Sequence, residues 1–127
     1  MSTSCGIAVR AGETFNTIYC HHDGYPEYML SMLRENYNSL ELATKLISFG
    51  DASSIDSKLE PASKHSFDNP EEDVCVFYHR DRGEDWISCQ SVCYNKRDLL
   101  KQRGFEFIYI FEDNTWNVYT NGRKLNK

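Results

Sequence analysis

Residues 105–120 read FEFIYIFEDNTWNVYT. Phe105, Phe107, Tyr109 and Phe111 occupy alternate positions, with Ile108 and Ile110 between them. A period of two built from aromatic and β-branched residues marks a strand with two dissimilar faces. Glu112-Asp113-Asn114 then makes a turn into Thr115–Thr120, where Trp116, Val118 and Thr120 alternate with Thr115, Asn117 and Tyr119. Asn121-Gly122 is a second turn signal. The tail from Arg123 to Lys127 is polar, and its Leu125 offers one more apolar contact.

The other end of the chain carries a matching pair. Cys5–Arg10 reads as a short apolar strand with Ile7 and Val9 on one face. Ala11-Gly12-Glu13 turns it into Thr14–Cys20, where Phe15, Thr17 and Tyr19 alternate with Asn16, Ile18 and Cys20, a hairpin pattern. His21-His22-Asp23-Gly24 breaks the alternation, and Pro26 suits the first turn of a helix, where a missing N–H costs nothing. Tyr28, Met29, Met32 and Leu33 recur at helical spacing. Asn38 with Glu41 resembles a capping box for a second helix, whose apolar stripe is Leu40, Ala43, Leu46 and Ile47. Gly50 sits where a left-handed C-terminal cap is expected.

Between Asp51 and Asp73 the pattern is irregular, anchored only by Ile55, Leu59 and Phe67. A structureless stretch of this length is a binding loop or a connection, and both readings stay open. The apolar run Val74–Tyr78 reads as a central strand covered on both faces, leading into Arg80-Asp81-Arg82-Gly83-Glu84-Asp85-Trp86. Ser88–Lys101 is expected to be helical towards its end, with Leu99 and Leu100 inward and Gly104 as the stop. The order is β-β-α-α-loop-β-α-β-β. It predicts one α+β domain over residues 1–127. The sheet should be antiparallel or mixed, of about five strands, with helices packed on one face.

The formal net charge of −5 argues against a general DNA- or RNA-binding surface, which needs a basic stripe. No apolar run reaches the roughly 20 residues that span a bilayer, and Met1 to Gly6 lack the features of a secretory leader. These features predict no membrane association and a location in the cytoplasm where the chain is made. Five Cys without paired spacing suit buried thiols in a reducing compartment.

Two stretches offer chemistry. In His21-His22-Asp23-Gly24-Tyr25-Pro26 a strand feeds a helix start, a place that favours anions. His21 and Asp23 could form an acid–base pair, but a capping role for Asp23 is the simpler reading. Gly24 suits a backbone position needing positive φ. In the second stretch, Arg80 and Arg82 could fork onto a phosphate or carboxylate. Gly83 would give backbone access there and Trp86 a stacking surface; the competing reading is a surface turn whose charges pair with one another. The expected ligand-binding set is therefore His21, Asp23, Gly24, Tyr25, Arg80, Arg82, Gly83 and Trp86. A zinc site from Cys20, His21, His22, Cys89 and Cys93 is weakly signalled, because neighbouring strand residues face opposite ways. No nucleophile elbow, P-loop or dinucleotide fingerprint is present. A binding protein without catalysis, metal or cofactor is the expectation.

With those residues in hand, the chain resembles a widespread group of short phage and prophage proteins of unassigned function. The resembling blocks are Gly6–Val9, Ile18–Pro26, Leu46–Ile55 and Val74–Glu84, followed by an aromatic strand like Phe105–Phe111 and a Trp like Trp116. The group often has Trp where this chain has His22. The resemblance implies viral origin and an accessory, counter-defence role in the host cytoplasm. Two partners follow as expectations: a nucleotide-like anionic signal held by the residues above, or a host defence protein met through an acidic face. That face would use Asp68, Glu71, Glu72, Asp73, Asp81, Glu84 and Asp85. Sheet edges and many Tyr would also suit a homo-oligomer.

Overall fold

The computed structural model describes residues 3–125. Asn126 and Lys127, the end of the polar tail, lie outside the described residues. The elements run β1 (Cys5–Ala11), β2 (Thr14–Cys20), α1 (Pro26–Asn36), α2 (Leu40–Ile47), β3 (Ala52–Ser54), β4 (Val76–Phe77) and α3 (Tyr78–Arg82). They continue with α4 (Trp86–Cys89), β5 (Val92–Tyr94), α5 (Lys96–Leu100), β6 (Phe107–Glu112), β7 (Thr115–Thr120) and β8 (Arg123–Lys124).

The architecture is α+β, built on one mixed sheet of eight strands, more than the five or so expected. Its order is β4-β3-β2-β1-β6-β7-β8, with β5 also pairing to β2. The two hairpins read from the sequence form, and they join through parallel pairing of β1 with β6, Ile7 opposite Tyr109. The additional strands β3, β5 and β8 have two or three residues each. Segments that short leave no periodic trace.

The alternation in β6 sorts two cores. Phe107, Tyr109 and Phe111 face a large cluster with Ile7, Val9, Ile18, Trp116 and Val118, covered by Met29, Leu30 and Leu33 of α1 and Ala43, Leu46 and Ile47 of α2. Ile108 and Ile110 face a smaller cluster with Ala8, Phe15 and Tyr119, capped by Leu99 of α5. The expectation of helices on one face is thus corrected: α5 covers part of the second face. The cause is the pleat, which leaves both faces of β1 and β6 apolar, so each needs a cover.

The end caps follow local chemistry. Pro26 opens α1. Ser39, not Asn38, caps α2 by accepting the Leu42 N–H at 3.1 Å. Gly50 adopts φ +83° just past α2 and donates its N–H to the Ile47 carbonyl.

The expected central strand at Val74–Tyr78 is also corrected. Only Val76–Phe77 is extended, at the edge of the sheet, and Tyr78 begins a one-turn helix. The Asp81 carboxylate accepts the Phe77 N–H at 2.8 Å, which turns the chain as soon as the strand ends. The irregular segment before it is tied down. Glu71 accepts N–H bonds from Ala62 and Ser63, and its backbone N–H donates to Nδ1 of His65 at 2.9 Å.

Candidate functional site

The turn after β2 is built around a close approach. His21 and His22 donate backbone N–H groups to the Ala52 and Ser53 carbonyls of β3. Asp23, at φ +58°, takes the left-handed conformation expected at Gly24, and Asp tolerates it because its short polar side chain is accommodated there. Gly24 serves a different purpose. A Cβ there would lie 2.8 Å from both the Cys5 Cβ and the Thr3 carbonyl oxygen. Gly24 donates to Thr3 O at 2.8 Å, and its own carbonyl accepts the buried Tyr109 hydroxyl at 2.7 Å. The expected cap is absent: Tyr25 holds the N-cap position of α1, with no side-chain bond to the helix.

His21 leaves β2 on the face opposite Cys20. Its Nδ1 shares a 2.6 Å hydrogen bond with the Tyr19 hydroxyl, and its ring packs edge-on against His22 at 4.5 Å. Tyr19 in turn stacks beside Phe105, centroids 6.4 Å apart. The corner therefore presents a row of rings, Phe105–Tyr19–His21–His22. Cys20 is fully buried in the large core, directly across from Cys5. Burial is the main reason that the Cys5 thiol is pushed well above its usual range. Among the described residues no three His, Cys, Asp or Glu side chains converge as metal ligands.

The expected Arg fork does not form. Arg80 turns inward and makes four hydrogen bonds: Nε and Nη2 to Asp81, Nη1 to the Leu59 carbonyl and Nη2 to the Cys75 carbonyl. Its guanidinium also lies over the Phe49 and Phe77 rings, at 5.3 and 5.0 Å. Arg82 lies over Phe67, 4.8 Å from the ring centroid. The physical reason is the helical turn of α3, which sends Arg80 and Arg82 to different sides instead of along one strand face. Gly83, at φ +78°, is the C-cap of α3.

Beyond Gly83, the helix α4 sits on the end of α2. The Asp51 N–H donates to the Cys89 carbonyl at 2.7 Å. Trp86 packs edge-on to His79 at 5.0 Å and borders a groove of about 510 Å³ with Ser48, Phe49, His79 and Arg80. Trp86 and Ile87 are 39% and 76% exposed. On the other flank, Asp51, Glu84 and Asp85 line a hollow of about 350 Å³ with Tyr78. Burial raises the Asp51 carboxyl above its usual range, against the Tyr19 N–H bond that favours its ionised form.

Of the eight residues expected to bind ligand, the structure splits the Arg pair between two hollows. Arg80 and Trp86 share the α4 groove, while Arg82 lines a separate hollow with Ser66, Phe67 and Asp68. Neither hollow is lined by His21, Asp23, Gly24 or Tyr25. Ile87, which the sequence reading passed over, is the most exposed large apolar side chain among the described residues. Its signal was present: an apolar residue in a charged run, with no helical or strand period to bury it. No protein-family model, curated protein or solved structure matches the chain, and no helix among the described residues is long and apolar enough to cross a membrane.

Proposed function

We propose that this is a phage counter-defence protein that inhibits a host defence protein by docking an acidic, Trp-centred face on a basic surface of its target in the host cytoplasm. The observation that carries the reading is the exposed Trp86–Ile87 pair on α4, bordered by the carboxylates of Asp51, Glu84 and Asp85. Interface anchors are typically exposed aromatics set beside a groove, and a charged surround sets partner choice and association rate. Residues 51–85 hold ten of the nineteen Asp and Glu but four of the fourteen Lys and Arg. The acidic residues are therefore concentrated in the stretch of sequence that leads into this face, and Asp51, Glu84 and Asp85 on its flank would complement a basic nucleic-acid channel. Phage origin rests on the sequence resemblance alone.

Sequestration of a nucleotide-like signal between the His21–Tyr25 corner and the Arg pair draws less support, since Arg80 spends its donors on the protein's own backbone and on Asp81. The test is capture of a host protein at one-to-one stoichiometry by the wild type, compared with Trp86→Ala and with the double variant Glu84→Lys/Asp85→Lys. Loss of capture and of phage protection in both variants is expected, along with weakening at high salt. Undiminished protection with either folded variant would overturn the docking face.

A further inference from the structure

A further cavity shares no lining residue with the hollows beside α4. It holds about 440 Å³ between the turn after α5 and the β7–β8 hairpin, and its walls include Lys101, Arg103, Phe105, Tyr119 and Asn121. That volume is in the range of small-molecule sites. Its cations are unspent. Lys101 and Arg103 are exposed, and neither side chain has an ion pair or hydrogen bond within the described residues. One carboxylate, Glu106, shares the lining, so two cations stand against one acid.

The wall between them is aromatic. Phe105 is half-buried, lies flat over Gly6, where a Cβ would come within 2.8 Å of its ring, and continues into the ring row of Tyr19 and His21. Cations beside an aromatic wall bind phosphate and base together: the cations as charge-assisted donors, the ring as a stacking surface. A fully solvated surface would show such Lys and Arg scattered singly. Here Lys101 and Arg103 line one concavity in a protein whose net charge is −5.

We infer that this cavity is a mononucleotide site, with the phosphates held by Lys101 and Arg103 and the base against Phe105. The site does not rest on the α4 face. Calorimetry with ADP, pyrophosphate and adenosine tests it, using the wild type, Lys101→Ala/Arg103→Ala and Glu84→Lys/Asp85→Lys. ADP binds the wild type, with pyrophosphate and adenosine each weaker. The cation double variant loses about tenfold or more in ADP affinity, the range of one or two charge-assisted contacts, while the acidic-face variant binds ADP at least as well as the wild type. Both cations are exposed, so the variant should keep its fold, verified by its near-ultraviolet circular dichroism. No heat with ADP at millimolar concentration, or wild-type affinity in Lys101→Ala/Arg103→Ala, would overturn the site. Pyrophosphate binding as tightly as ADP would overturn the role of the base.

Discussion

The Nε2 atom of His65 lies 3.2 Å from Oδ2 of Asp81, with the two side chains 1% and 5% exposed. The pair joins the middle of the irregular segment to the one-turn helix α3. Arg80 completes the clasp by bonding Asp81 along with the Leu59 and Cys75 carbonyls. Nδ1 of His65 accepts the Glu71 N–H, which leaves Nε2 to carry the proton that faces Asp81. Although Nε2 is buried, its alignment on Asp81 falls short of a well-formed hydrogen bond, so proximity of charge and dipole counts for more here than bond geometry. The segment between Ile55 and Val74 is thereby held without a hydrophobic core of its own.

This clasp predicts an acid-sensitive loop. Burial alone would raise the Asp81 carboxyl, but Arg80, the Phe77 N–H and His65 outweigh it and hold the group below the usual carboxylate range. A folded-state value below the unfolded one, about 3.9, contributes stability that is complete above that pH and lost as pH falls through the lower folded value. Asp81→Asn is therefore expected to cost about 2–4 kcal/mol at pH 7, as removal of one member of a buried charge cluster does. The gap to wild type should close as the pH is taken below 3.9. Urea unfolding at neutral and acid pH measures it, and a gap of unchanged width in acid would contradict the linkage.

Gly50 and Gly83 share nearly the same left-handed backbone, at φ +83° and +78°, but differ in what surrounds them. A Cβ at Gly50 would lie 2.5 Å from the Cys89 carbonyl oxygen and 3.0 Å from Trp86, whereas at Gly83 nothing lies within 4 Å. Ala at Gly83 should cost only the backbone strain, about 1–2 kcal/mol. Gly50→Ala should cost clearly more and should also loosen α4. The two melting temperatures, with Trp86 fluorescence as the reporter of α4, separate the cases. Equal losses would mean that α4 yields freely.

The difference between those glycines also shows what the sequence could disclose. Residues whose role follows from chain-local periodicity were legible: the hairpins, the α1 stripe, the α2 stripe except Leu40, which is exposed at the first position of the helix, the sorting of Tyr109 from Ile108, and Gly50 as a helix stop. Roles set by long-range approach were not. Val74–Tyr78 has the composition of a buried strand, yet Asp81 reaches back four residues to the Phe77 N–H and converts its end to a helix. Arg80 looks like a ligand fork until Leu59 and Cys75, distant in sequence, present their carbonyls to it. The cationic cavity was invisible for the same reason: Lys101 and Arg103 face Tyr119 and Asn121 of the last hairpin only in the folded chain.

The cysteines give a prediction about reactivity. Cys5, Cys20, Cys75 and Cys89 are buried and only Cys93 is exposed, with none in a disulfide. Burial raises the Cys75 thiol to about 11, despite hydrogen bonds from Asp56 and Tyr37 that favour its thiolate. Since the thiolate is the nucleophile, native protein treated with iodoacetamide should be modified at Cys93 alone. All five should react in denaturant. Peptide mass mapping reads the outcome, and rapid native labelling of Cys20 would mean that the His21 corner opens in solution.

The corner itself should depend on one hydroxyl. Tyr109 donates to the Gly24 carbonyl at 2.7 Å from a fully buried position, and burial holds the phenol far above its ordinary value. Gly24 is held in place, because its N–H donates to the Thr3 carbonyl and the space beside it is too small even for a Cβ. Tyr109→Phe thus leaves a buried carbonyl unpaired, which costs about 1–3 kcal/mol. The loss should not depend on pH between 5 and 9, since the phenol stays neutral throughout. A Tyr109→Phe protein as stable as wild type would mean that the turn between β2 and α1 relaxes, and with it the alignment of the Phe105–Tyr19–His21 row beside the cationic cavity.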